Sequence, residues 1–327
     1  MIAPRLGRRP LLKTIAASTV GLVAAPYLAR GATTTLRVGK SIPDLLAYTP
    51  IDVGLAKGFY EKRGLNLEVT GFSGSARVHQ AMTAGAVDIV LGSGSTMVDV
   101  LKGEPSLCIA QTIGPPVDIA ILVPYDSPIK STDDLKGKTI GVASTGGGSP
   151  TEWVVFELAR QKGWERADIK TVGLGGTQAS IAALRVNQVD AVVSGSAVGF
   201  LLEPQRQARV LVPCSAYVPD FIMHANYAAK PAAETQPEAV RAFCAAWFES
   251  VAFMQANRDE TIDLVMPVTH LPREPQERDY DLVVPKLSTT GKFDPKGLAA
   301  IARSYVELKI LDTEPDMSKL YTEKFLS

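Results

Sequence analysis

The residues best suited to hold a small molecule fall in short runs rich in glycine, serine and threonine. GSGST supplies Ser93, Gly94, Ser95 and Thr96, and SGSA supplies Ser194, Gly195 and Ser196. ASTGGG adds Ser144, Thr145, Gly146, Gly147 and Gly148, and GFSGSA adds Gly74. Such residues let the backbone approach a ligand and offer small hydroxyl and N–H donors. A triple-glycine run can also present its N–H groups as an anion-accepting concavity, or serve merely as a flexible turn. Lys40 is the one cation expected directly at a strand's carboxyl end, where it meets an anionic ligand or, structurally, Asp44. His224 offers a ring N–H to a ligand, although a lone histidine more often serves the core. Such groups suit non-covalent contact with a ligand.

Motifs for covalent chemistry do not assemble. VGKS at 38–41 ends like a phosphate-binding loop, but Thr34 stands where that motif requires glycine. Three scattered histidines give no metal cluster, and GSGST and GLGGTQ are incomplete as dinucleotide fingerprints. No catalytic residue, metal or cofactor is expected. Lys+Arg and Asp+Glu both number 34, a balance that argues against a nucleic-acid partner.

The candidate runs recur because the chain repeats itself. GAVDIVLGSGS (85–95) returns as NQVDAVVSGSA (187–197), so Asp88 matches Asp190 at an offset of 102. The same offset relates Gly39 to Gly141, Gly71 to Gly173, Gly74 to Gly176 and Ala81 to Ala183. We read two copies of one supersecondary unit, residues 36–101 and 138–203. Each alternates strand and helix, which implies parallel sheets with right-handed crossovers. The two aspartates read as structural caps, and the ligand chemistry is expected just past the strands, outside their carboxyl ends. Ser149-Pro150-Thr151-Glu152 reads as a capping box in which Ser149 accepts from the Glu152 N–H. Glu152 then places negative charge where a bare inorganic anion would sit.

Beyond the second copy come a short strand-and-crossover region and then mostly helical patterns. The segments around QTIGPPVDIAILVPYDSP and FIMHANYAAKP read as two hinge crossings. The expected architecture is α/β: two lobes, each a mostly parallel sheet flanked by helices. Lobe 1 is expected from 33–123 and 225–327, and lobe 2 from 124–224.

The first thirty residues differ from the rest. Arg5, Arg8, Arg9 and Lys13 precede an apolar stretch from Ile15 to about Leu28, then small residues Ala29, Gly31 and Ala32. This is the plan of a signal peptide (1–32), cleaved near 29–32, and RRPLLK is similar to a twin-arginine export signal. Cys108, Cys214 and Cys244 allow at most one disulfide, with three possible pairings, and read more simply as buried free thiols.

VGLAKGFYEKRGLNLEV, AMTAGAVDIVLGSGSTMVDVLKGEP and DLKGKTIGVASTGGGSPTEWVVFELARQKG together carry a family resemblance. The chain resembles exported substrate-binding proteins of ABC importers, in the nitrate/sulfonate/taurine group that includes thiamine-pyrimidine binders. The likeness spans roughly 36–325. It implies a periplasmic-binding-protein fold (type 2), a monomer in the periplasm, a small-molecule ligand and an inner-membrane ABC permease as partner. It also implies that Tyr48 and Thr49 cover the ligand, although a lobe-packing tyrosine fits the same position. A small organic anion such as a sulfonate or carboxylate is the first ligand expected, and an aromatic or heterocyclic thiamine-pyrimidine-like compound the second. The alternatives in other classes are a biosynthetic enzyme on the same fold and a sensor that feeds a receptor.

Overall fold

Two five-stranded sheets organise the protein, in a computed structural model that describes residues 33–145 and 149–326. The expected signal peptide and the run Gly146, Gly147 and Gly148 lie outside the described residues. In chain order the first copy runs β1 (Thr34–Lys40), α1 (Pro50–Ala56), β2 (Leu65–Gly71), α2 (Ser75–Thr83), β3 (Ile89–Ser93) and α3 (Val98–Leu101). Then come β4 (Ser106–Ile113) and β5 (Ile119–Pro124). The second copy runs β6 (Thr139–Val142), α4 (Pro150–Gln161), β7 (Lys170–Gly173), α5 (Thr177–Arg185), β8 (Ala191–Gly195) and α6 (Ser196–Leu202). After β9 (Ala208–Pro213) and β10 (His224–Ala229) the chain ends in α7 (Lys230–Thr235), α8 (Pro237–Ala256), α9 (Arg258–Thr269), α10 (Arg273–Val283) and α11 (Pro295–Glu307).

The offset of 102 carries through to three dimensions. α2 and α5, and β3 and β8, start and end at positions 102 apart. The sheets are ordered β2-β1-β3-β10-β4 and β7-β6-β8-β5-β9, so each repeat fills three equivalent places. The aspartates behave as the sequence implies: Asp88 Oδ2 accepts from the Arg37 backbone N–H at 2.9 Å, and Asp190 Oδ2 from the Thr139 N–H at 2.8 Å. Residues 37 and 139 are themselves 102 apart. Gly39 and Gly141 share a reason as well, since a Cβ on either would strike Val78 or Leu174 respectively. β3 is buried along its whole length, as expected for a strand covered on both faces.

The sheets are mixed, because each takes in two strands from beyond its own repeat, one of them antiparallel. β10 runs antiparallel between β3 and β4, and β5 antiparallel between β8 and β9. This corrects the expected boundary after residue 123. The first crossing is 114–118, because Gly114-Pro115-Pro116 breaks the ladder and the apolar run IAILVP then pairs with β8. The second crossing, 214–223, ends one residue before its expected place, so His224 opens β10 in the first sheet.

The C-terminal helices pack against the first sheet's elements, and two of them also reach the second lobe. α8 packs on α1, and Tyr305 of α11 donates to the Ser95 carbonyl at 2.9 Å. α10 packs on both α6 and residues 46–48, and its Arg278 pairs with Glu203 at 2.9 Å. On the other flank Trp153 of α4 stacks on Phe221 of the second crossing, ring centroids 4.7 Å apart. Its indole N–H donates to Glu307 of α11 at 2.8 Å. No helix among the described residues is long and apolar enough to cross a membrane.

Candidate functional site

The pairing registers put the relevant strand ends at one level. In the first sheet His224 lies beside both Ser93 and Ile113; in the second, Ile119 lies beside Gly195 and Ala120 beside Pro213. The short first crossing therefore joins the carboxyl-end rim of one sheet to that of the other. On it sits Asp118, a residue that spacing and motif did not single out.

Asp118 anchors a buried chain of polar groups between the rims. His224 Nε2 lies 2.6 Å from Asp118 Oδ2, and His224 Nδ1 lies 3.0 Å from the Tyr48 hydroxyl. Ser41 donates to that hydroxyl at 3.1 Å. A carboxylate only accepts, so the histidine proton belongs on Nε2, leaving Nδ1 to accept from Tyr48. The Tyr48 and His224 rings also meet edge to face at 5.0 Å. Burial holds the Tyr48 phenol well above its usual range. Asp118 meanwhile presents its backbone carbonyl to the Ser196 N–H at 2.8 Å.

Asp279, on the inward face of α10, belongs to the same region. It is 4% exposed, and its carboxyl pKa is pushed up to about 7 by burial and then by the nearby charge of Asp118. Sequence reasoning missed it because it sits in a polar stretch, REPQERDYD, that reads as a solvated helix. Only the packing of α10 against residues 46–48 and α6 turns it inward. The thiol of Cys214, next to the same crossing, is raised to about 12 by burial.

The other expected residues divide by what already engages them. Lys40 is 3% exposed and pairs with Asp52 of α1 at 2.8 Å, not with Asp44. Burial raises the Asp52 pKa against the opposing pull of Lys40. Thr49 is fully buried and donates to the Leu46 carbonyl at 2.8 Å. Ser93 and Ser95 hydrogen-bond to each other at 2.9 Å, and Thr96 donates to the Ser93 carbonyl at 2.7 Å. Gly94 donates to the Met223 carbonyl at 3.2 Å and sits where a Cβ would collide with the Ile222 backbone. Its lack of a side chain serves the second crossing. Ser194 and Gly195 pair with β5, and Ser196 donates to the Val117 carbonyl at 3.3 Å. Ser144 and Thr145 are exposed at the end of β6. Gly74 caps α2 with φ of 102° and has open space where a Cβ would go.

The expected capping box takes another form. Pro150 opens α4, but the Ser149 side chain makes no cap; its hydroxyl lies 2.8 Å from that of Thr151, which accepts from the Ala143 N–H. Among the described residues, His79, Asp99 and Glu104 bring potential metal-ligating atoms within 4.8 Å of one another. Here His79 Nδ1 meets both Glu104 oxygens at 2.9 Å and Ser106 donates to the same carboxylate, so the set reads as a core hydrogen-bond network. A surface concavity of about 350 Å³, lined by Leu158, Gln161, Lys162 and Tyr217 among others, lies on the second lobe and includes none of the expected site residues.

Two lobes joined by two crossings, with a polar floor where their rims meet, define a periplasmic-binding-protein-like fold. The chain belongs to the NMT1/THI5-like family, whose profile matches residues 46–261. A protein of Brucella abortus (strain 2308) described as a binding protein is 25% identical over 256 residues, covering 77% of each chain. The 4-amino-5-hydroxymethyl-2-methylpyrimidine phosphate synthase of Legionella pneumophila is 23% identical over 305 residues, covering 85% of this chain and 88% of that one. The periplasmic aliphatic sulphonate-binding protein of Escherichia coli superposes with a TM-score of 0.74 at 20% identity, over 88% of this chain and 92% of that one, which shows the shared fold.

Proposed function

We propose that this protein is exported to the periplasm, captures a small organic molecule between its lobes and hands it to an ABC permease on closing. The observation that carries this reading is the Tyr48–His224–Asp118 chain, which draws its members from the first lobe and the crossing and lies where the two rims meet. A ligand that touches both lobes favours the closed state through contacts the open state lacks. Permease docking then reads the closed shape, and no covalent step is required.

For the ligand class, the relatives' names point in different directions, one to a pyrimidine and one to sulphonates. The charges of the site favour the second of the two expected classes, a nitrogen heterocycle. Lys40 is neutralised by Asp52, while Asp118 and Asp279 both face inward. A small organic anion would meet those acidic groups with Lys40 already paired. An aromatic ring also suits the edge of Tyr48.

Native mass spectrometry of the protein taken from its own cells tests the reading. We expect a co-purified, nitrogen-containing small molecule, and loss of its uptake when the gene is deleted. Turnover of the bound compound by the pure protein would instead make this an enzyme.

A further inference from the structure

Two buried acidic side chains, Asp118 and Asp279, influence each other electrostatically, and neither pairs with a lysine or arginine among the described residues. Asp118 is 4% exposed, and while its Oδ2 meets His224, its Oδ1 is buried with no hydrogen-bond partner among the described residues. Asp279 is equally buried and engages no hydrogen bond or ion pair among those residues; the charge that bears on it is Asp118 itself. Lys40 pairs with Asp52, and Arg278, beside Asp279 in sequence, pairs with Glu203 and Glu274.

Removing a carboxylate from water without a partner is costly, and two together add mutual repulsion. Protein cores avoid this arrangement unless something else completes it. A proton on Asp279 relieves it below about pH 7; above that, a group bringing N–H donors and positive charge would complete it. Charge-assisted N–H···O⁻ bonds are the strong ones, and a planar amidinium can address two oxygens at once. Asp118 reaches this region from the crossing and Asp279 from α10, the helix that touches both lobes, so a cation held by both would couple directly to hinge position.

We propose that Asp118 and Asp279 together receive a protonated nitrogen group of the solute, of amidinium, guanidinium or alkylammonium type. This deepens the capture-and-delivery reading and rests on it. Asp118 Oδ1 and the Asp279 carboxylate accept from the cationic group, while Tyr48 and His224 hold Asp118 in place through its other oxygen.

The test uses the full chain at pH 8 with defined probes: benzamidine and agmatine as cations, 4-aminopyrimidine as a neutral heterocycle, and ethanesulfonate and benzoate as anions. Thermal shift and calorimetry should show a cation raising the melting temperature by several degrees. Asp279→Asn and Asp118→Asn, each confirmed folded by circular dichroism, should weaken that cation at least tenfold. The proposal is overturned if neither cation binds, or if Asp279→Asn binds it as tightly as the parent. Should 4-aminopyrimidine or an anion alone stabilise the protein, the cation subsite falls while the solute-binding reading stands. If no probe binds and nothing co-purifies, both fall.

Discussion

His224 Nε2 lies 2.6 Å from Asp118 Oδ2, and this one bond ties the first strand after the second crossing to the last residue of the first. The crossings themselves also meet, where the Met223 N–H donates to the Gly114 carbonyl at 2.8 Å. The carboxylate fixes the imidazole tautomer, and the tautomer in turn decides that Tyr48 donates to Nδ1. Nitrogen-15 NMR should report the proton on Nε2. Tyr48→Phe leaves Nδ1 buried without a donor and should cost about 1–3 kcal/mol of stability.

Asp279 makes stability depend on pH. Its folded-state pKa of about 7 lies above the ordinary 3.8, so the folded protein holds this proton more tightly than the unfolded chain. The resulting stabilisation is fully present below 3.8 and is lost as pH rises through 7. Asp118 faces the group and enhances the effect by repulsion. Asp279→Asn should therefore gain on the parent protein between pH 5 and pH 8, by an amount on the order of a few kcal/mol without ligand. Melting curves across that range check it, and a flat difference would refute it.

The matched aspartates make a paired experiment. Asp88 and Asp190 do the same job in separate sheets, each holding a backbone N–H of a neighbouring strand. Asp88→Ala and Asp190→Ala should each destabilise by about 1–3 kcal/mol through the orphaned N–H. Because the sites share no partners, urea titration of the double variant should show the sum to within about 0.5 kcal/mol. Asp88→Ala should lose somewhat more, since Asp88 also pairs with the Arg37 guanidinium.

Gly94 is a packing glycine against the second crossing. Gly94→Ala pushes a methyl group into the Ile222 backbone, which carries the second crossing. Overpacking of this kind costs about 1–3 kcal/mol. Small-angle scattering should also detect a changed lobe angle, which a purely ligand-contacting residue would not produce.

Residue order alone was enough to reveal the duplication, the alternating strands and helices, the structural role of Asp88 and Asp190, and the family. Those features are local or periodic: hydrophobic spacing sets each element, and a fixed offset shows that one unit was built twice. The candidate site was legible only in part. Tyr48 and His224 were within reach of reasoning about residue type, and they do join one network. Lys40 looked available, yet Asp52 lies twelve residues on, where a helix of the same lobe brings it to 2.8 Å. The glycine-serine runs turned out to spend much of their hydrogen bonding on strands, turns and crossings. Tertiary structure alone decided that β5 belongs to the second sheet, and that Asp118 and Asp279, 161 positions apart in sequence, share one buried region. Periodicity carries no signal for such a meeting, because a charged residue in a polar helix looks solvated until another element covers it. Burial, which sets both its charge and its chemistry, is a property of the assembled fold.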